Sequence, residues 1–337
     1  MHKAFITGLA GLDLSRDEQA FLRAERPAGL ILFTRNCRDA DQIRRLIAES
    51  VAAIGTDHIL VLVDQEGGRV QRLKPPIARL LPPAAVFAAH HADMGAAGQA
   101  AFLLARLAAD DLTALGINTN CAPVLDVPVP GAHDIIGNRA YSRDPALIAR
   151  LGQSVADGLM AGGILPVMKH IPGHGRALAD SHLELPVVTA TAVELSASDF
   201  APFATLKRLP AAMTAHVVFT HLDAAQPAST SRRVTQDVIR GHIGFDGLLM
   251  SDDLGMKALN GTFGDRTRAV LEAGSDLALH CNGDLAEMQQ VAAAAPVLAG
   301  PALQRFERAV AVTRNPRQPY DRASAEAALD RLLATVA

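Results

Sequence analysis

Positions 169 to 186 read KHIPGHGRALADSHLELP and place Lys169, His170, His174, Asp180, His182 and Glu184 in one loop punctuated by Pro172, Gly173 and Gly175. Imidazoles titrate near neutral pH and bind metals, so three of them in a loop call for a chemical explanation. One is a metal site, with His170, His174, His182 and Asp252 as donors. The spacing of His170 and His174 matches one helical turn, but Pro172 and Gly173 between them oppose a helix, and there is no His-Glu-x-x-His. The other pairs Asp180 with His182, the carboxylate orienting the imidazole and stabilising its charged form as a proton shuttle. Asp252 is then a nucleophile or charge stabiliser aimed at an electrophilic carbon, while Lys169, His170 and Asp64 hydrogen-bond a polar substrate. Hydroxyls lose water on entering a site and need both donors and acceptors there, so this mixture points to carbohydrate chemistry.

These residues share a place relative to the elements that carry them. Apolar runs at 4–9, 28–33, 58–64, 116–126, 162–170, 211–219, 247–254 and 274–281 read as strands. Segments of helical period lie between them, at 38–54, 95–115, 144–161 and 196–206. Continuous apolar strands alternating with helices predict an α/β fold, a (β/α)8 TIM-type barrel ahead of an open doubly wound sheet. Several runs end in a polar residue: Asp64, Asp126, Lys169 with His170, His216, and Asp252 with Asp253. A barrel gathers such ends at its C-terminal rim, where active sites are built. Alternation sends only one of Asp252 and Asp253 into the site, leaving the other as a helix cap or a support. Arg72 and Arg139 fall in loops of the same rim and can engage carboxyl or hydroxyl oxygens.

The chain has 337 residues, 49% of them hydrophobic and 20% charged, so it is neither disordered nor a minimal domain. The expectation is one catalytic barrel domain over 1–337, including a helical tail at about 301–337 that covers the barrel's end or side. A net charge of −3 with no basic cluster argues against nucleic-acid or anionic-membrane partners. No Gly-x-Gly-x-x-Gly follows an early strand and no P-loop motif occurs, which removes the usual warrants for a dinucleotide or nucleotide cofactor. Cys37, Cys121 and Cys281 form no paired spacing. The N-terminus lacks a full signal pattern and no long apolar segment follows, so a cytoplasmic protein without an anchor is expected.

The segments LVLVDQEGGRVQRL, IIGNRAYSRDP, KHIPGHGRALADSHLELP and LLMSDDLGMKAL, in that order over nearly the whole chain, resemble glycoside hydrolase family 3. They are most similar to its short bacterial β-N-acetylglucosaminidases of peptidoglycan recycling. The resemblance implies retaining hydrolysis of terminal GlcNAc β-1,4-linked to 1,6-anhydro-N-acetylmuramic acid, with or without stem peptide. Position by position it implies Asp252 as nucleophile, His182 as acid/base and Asp180 as its dyad partner. It likewise implies Asp64, Arg72, Arg139, Lys169 and His170 as sugar-binding residues, with Asp126 architectural. No metal and no cofactor are implied, and a monomer is expected. Ile171 stands where the family usually has Phe, which alters loop packing and removes no catalytic group. A glycan-binding protein without catalysis and a metal-dependent hydrolase are the rival readings, and water versus phosphate as acceptor stays open.

Overall fold

The computed structural model describes residues 1–88, 94–178 and 184–334. Each of the eight expected runs contributes one barrel strand: β1 (Lys3–Gly8), β2 (Pro27–Leu32), β3 (Leu60–Val63), β4 (Thr119–Asn120), β5 (Leu165–Ile171), β6 (Ala211–Thr214), β7 (Leu248–Asp253) and β8 (Leu277–His280). All pair in parallel with their sequence neighbours, and β8 closes the circle on β1 through Phe5 opposite Ala278. Helices lie between the strands; Arg16–Glu25 follows β1, Ala40–Ile54 follows β2, and Pro145–Ala161 follows β4. Ser15, Asp39 and Asp144 cap these three by accepting backbone N–H bonds, and Pro145 adds a φ already suited to a first turn.

Strand alternation explains both the core and the site. Leu60 and Leu62, Leu165 and Val167, and Leu248 and Met250 pack inside the barrel, while Val61, Met168 and Leu249 face the surrounding helices. Two residues further along the inward faces stand Asp64, Lys169 and Asp252, at the C-terminal mouth. The interior is therefore a sealed apolar plug with a polar lid.

Three expected elements differ from the sequence reading. The run at 116–126 yields only the short β4, because Pro123 lacks an N–H for the ladder; an isolated bridge from Val124 to Lys169 resumes it. The run at 211–219 leaves the barrel after Thr214, and Val218–Phe219 pairs with Val187–Val188 in a separate two-stranded sheet. The helix expected over 196–206 is two helices, Ala192–Ala197 and Ala201–Thr205, since Pro202 fits only the first turn of a helix.

The tail divides its work. Helix Gly300–Val312 covers the N-terminal end of the barrel, where Phe306, Ala309 and Val310 join Ala4, Ala28 and Leu60 in one cluster. Helix Arg322–Ala334 lies on the flank against helix Met94–Thr113, with Ala325 and Leu329 buried and Arg322 paired to Asp110 and Asp111. Phe306 is fully buried, its ring 5.6 Å from that of His2 and 5.8 Å from that of His58. Phe306→Ala is expected to cost about 3–5 kcal/mol in urea denaturation, with ligand affinity at the opposite end unchanged at low temperature. A loss under about 1 kcal/mol would show that the tail is not part of the core.

Candidate active site

A cavity of about 350 Å³ opens at the C-terminal mouth, and Asp64, Arg72, Arg139, Lys169, His170 and Asp252 all line it. Six of the eight expected catalytic and binding residues thus converge. The other two, Asp180 and His182, lie outside the described residues.

The wall of the cavity is an alternating ladder of charge. Arg72 Nη2 donates to Asp64 Oδ2 at 2.9 Å, and Lys169 Nζ donates to Asp64 Oδ1 at 2.8 Å. Lys169 Nζ also lies 2.7 Å from Glu66 Oε1, and Arg139 grips both Glu66 oxygens at 2.8 Å with its Nε and Nη2. Lys169 is only 3% exposed, so its charge depends on this pairing. Burial alone would push Asp64 and Glu66 up, but Lys169 with Arg72 and Lys169 with Arg139 outweigh it and hold both carboxyls below their usual values. Lys169 in turn is raised by the two carboxylates against the penalty of burial.

Local structure explains the geometry. Between Asp64 and Arg72 the chain makes a hairpin of Gln65–Gly67 and Val70–Gln71, turned by Gly67 and Gly68 with φ of 108° and 58°. Gln65 clasps Leu73 through Nε2 to the carbonyl at 2.8 Å and Oε1 from the amide at 3.1 Å. The loop carrying Arg139 is tied by Arg69, which pairs with Asp134 at 3.0 Å and donates to the Ile135 carbonyl at 2.8 Å.

His170 and Asp252 are oriented from behind. Asp126, fully buried, accepts from His170 Nδ1 at 2.7 Å and from the amides of His170 and His174 at 3.2 and 2.7 Å. Asp126 therefore has the architectural role expected, and fixes the proton on Nδ1 of His170. Burial, with His170 alongside, pushes His174 down to about 4. At the end of β7, burial opposes ionisation of Asp252, but His170, His216, the Asp253 amide and Lys169 together keep its carboxyl below the usual range. Its neighbour Asp253 is pushed up, by burial and then by the charge of Asp252. His216 Nε2 donates to the Asp253 carbonyl at 3.0 Å, and His216 Nδ1 accepts from Ser229 at 2.6 Å.

One sequence expectation needs correction. Both Asp252 and Asp253 border the cavity, because the register of β7 against β8 shifts between Met250 and Asp253. Of the two roles expected for the second carboxyl, Asp253 has the supporting one: Oδ1 accepts the Gly255 and Cys281 amides at 3.0 Å, while Thr262 caps helix Phe263–Ala273. Glu66 was not anticipated at all. Its signal was available, since Glu66 follows Asp64 at the strand period and precedes the Gly-Gly turn. As for a metal, no group of three or more donor side chains converges among the described residues, a set that does not include His182.

Glu66→Gln leaves Arg139 without its carboxylate and is expected to lower stability by about 3 kcal/mol. In a double-mutant cycle with Arg139→Gln, urea denaturation should return a coupling of about 1–3 kcal/mol, and strict additivity would refute the ladder. For His174 the folded value lies below the ordinary 6.5, so between 6.5 and about 4 the unfolded chain binds the extra proton. Stability should fall as pH drops through that window, by up to about 3 kcal/mol from this group. His174→Gln should flatten the slope; an unchanged slope would exclude His174 as its source.

Residues 6–314 match the family described as Glycosyl hydrolase family 3 N terminal domain. A β-hexosaminidase of Chromobacterium violaceum is 38% identical over 310 residues, which span 91% of this chain and 86% of that one. A β-hexosaminidase of Methylococcus capsulatus is 40% identical over 280 residues, 81% of each chain. Among solved structures, NagZ from Neisseria gonorrhoeae in complex with N-trifluoroacetyl-D-glucosamine superposes with a TM-score of 0.87 at 33% identity, over 98% of both chains. The barrel, the cavity at its C-terminal mouth and these matches over most of its length make this chain a member of glycosyl hydrolase family 3.

Proposed function

We propose that this chain is a retaining β-N-acetylhexosaminidase of cell-wall recycling, removing terminal GlcNAc β-1,4-linked to 1,6-anhydro-N-acetylmuramic acid. The observation that carries the reading is a carboxyl group, Asp252, at the end of an inward strand face in a cavity walled by paired donors and acceptors, where His170, His216 and Lys169 favour its charged form. Relatives named β-hexosaminidase match it over most of both chains, which supports the same activity here. In the ladder, Asp64 accepts from sugar hydroxyls while Arg72, Lys169 and Arg139 donate to them, and His170 offers its second ring nitrogen.

The reaction runs in two displacements. Asp252 attacks the anomeric carbon as the bond to the leaving sugar breaks, and His182 gives its proton to the departing oxygen. Water then attacks the glycosyl ester of Asp252, His182 takes a proton from it, and GlcNAc leaves with its β configuration retained. Asp180 is the carboxylate that favours the charged form of His182 in this reading. The residues supply all of this without a metal or cofactor. Among the described residues no helix is long and apolar enough to cross a membrane.

A fluorinated N-acetylglucosaminide should leave a covalent adduct on the peptide containing Asp252, detected by mass spectrometry, and Asp252→Asn should form none. His182→Ala should lower disaccharide turnover by roughly 10²–10⁴, measured with and without phosphate to separate hydrolysis from transfer. Unchanged turnover in His182→Ala would remove it as acid/base. Binding of the disaccharide without any turnover by the wild type would leave a glycan-binding protein.

A further inference from the structure

Every other cation bordering the cavity has a carboxylate partner: Arg72 has Asp64, Lys169 has Asp64 and Glu66, Arg139 has Glu66 and Arg69 has Asp134. Arg35 borders the same cavity and makes no ion pair among the described residues. It is nonetheless fixed in place. Its Nε donates to the Leu9 carbonyl at 2.9 Å, its Nη2 donates to the Cys281 carbonyl, and its guanidinium lies 5.0 Å over the Phe33 ring. Gly8 makes room for it, since a Cβ there would collide with the Cys281 carbonyl and lie 2.9 Å from Arg35 Nη2. Asp253 acts on it only through its field and forms no ion pair with it, its Oδ1 being held by the amides of Gly255 and Cys281. Burial lowers the Arg35 pKa and the nearby Arg72 charge adds to this, outweighing the opposing field of Asp253. Nη1 has no protein acceptor among the described residues, and the side chain is exposed on the rim.

A preorganised guanidinium with a spare edge takes a carboxylate. The terminal amino sugar carries no charge, so the anion must sit on the other half of the substrate. We propose that Arg35 binds a carboxylate of the leaving-group half, which makes it a residue that sets specificity on that side. The inference rests on the hexosaminidase reading and sharpens it. The carboxylate is either the acid on the ether side chain of the muramic sugar, free only when no peptide is attached, or an acid of the attached peptide.

Four substrates decide the matter: a neutral aryl N-acetyl-β-glucosaminide, the disaccharide with its free acid, the same disaccharide as the methyl amide, and the peptide-bearing form. In Arg35→Gln, kcat/KM on a carboxylate-bearing substrate should fall roughly tenfold while the aryl glycoside and the amide are unaffected. Arg35→Lys should fall less, since it keeps the charge and loses the fork. A loss confined to the free acid locates the carboxylate on the sugar, and a loss confined to the peptide-bearing form locates it on the peptide. Equal losses on all four substrates would make Arg35 a strap between strand ends, and no loss on any would exclude contact; either overturns the proposal. Failure of the wild type on every substrate, the aryl glycoside included, would instead overturn the hexosaminidase reading and the proposal with it.

Discussion

Five charges set side by side, Arg72, Asp64, Lys169, Glu66 and Arg139, constrain the rest of the mouth, with Lys169 buried at the centre and the others half-buried around it. Lys169 is not tolerable there alone, because an unpaired buried charge costs several kcal/mol. Each therefore fixes its neighbour, and the ladder ties the end of β3, the hairpin after it, the end of β5 and the loop at Gly137–Arg139 into one surface. For a sugar this is useful. Hydroxyls exchange hydrogen bonds with water for hydrogen bonds with groups already held in position, so little ordering is left to occur on binding.

The same environment separates two adjacent carboxyls. Asp252 faces His170, His216 and Lys169 and stays ionised, as attack on carbon requires. Asp253 meets desolvation and the charge of Asp252, and is pushed toward its protonated form. Sequence neighbours thus divide into a reactive group and a support, a division set by surroundings and not by residue type. His216 contributes to both, lowering Asp252 by its proximity and holding the Asp253 carbonyl through Nε2.

Much of this was legible in the chain because barrel strands are buried on both faces and read as unbroken apolar runs. The inward period that places Leu60, Leu62 and Asp64 in line, or Leu248, Met250 and Asp252, is written directly in the residue order. What escaped were effects that arise between elements. Glu66 looked like part of a glycine turn until Lys169 and Arg139, each more than seventy positions away, were seen to converge on it. The register shift that turns Asp253 toward the cavity depends on β8, and no local pattern announces it. The interruption of 196–206 was available in Pro202 and was outweighed by the apolar period around it.

The two ends of the barrel carry different burdens. At the N-terminal end helix Gly300–Val312 lays Phe306 across the strand starts, so that end is stabilised by apolar burial, which tolerates no polar group without a partner. The C-terminal end spends that stability on a layer of charge, in which three cations alternate with two carboxylates and the Asp252 carboxylate beside Lys169 offsets the remaining positive charge. A neutral amino sugar suits such a wall. Discrimination by charge then falls to the rim, where Arg35, held by backbone carbonyls and an aromatic face, makes no ion pair among the described residues. Depth in the cavity sorts by hydroxyl geometry, and height above it sorts by charge.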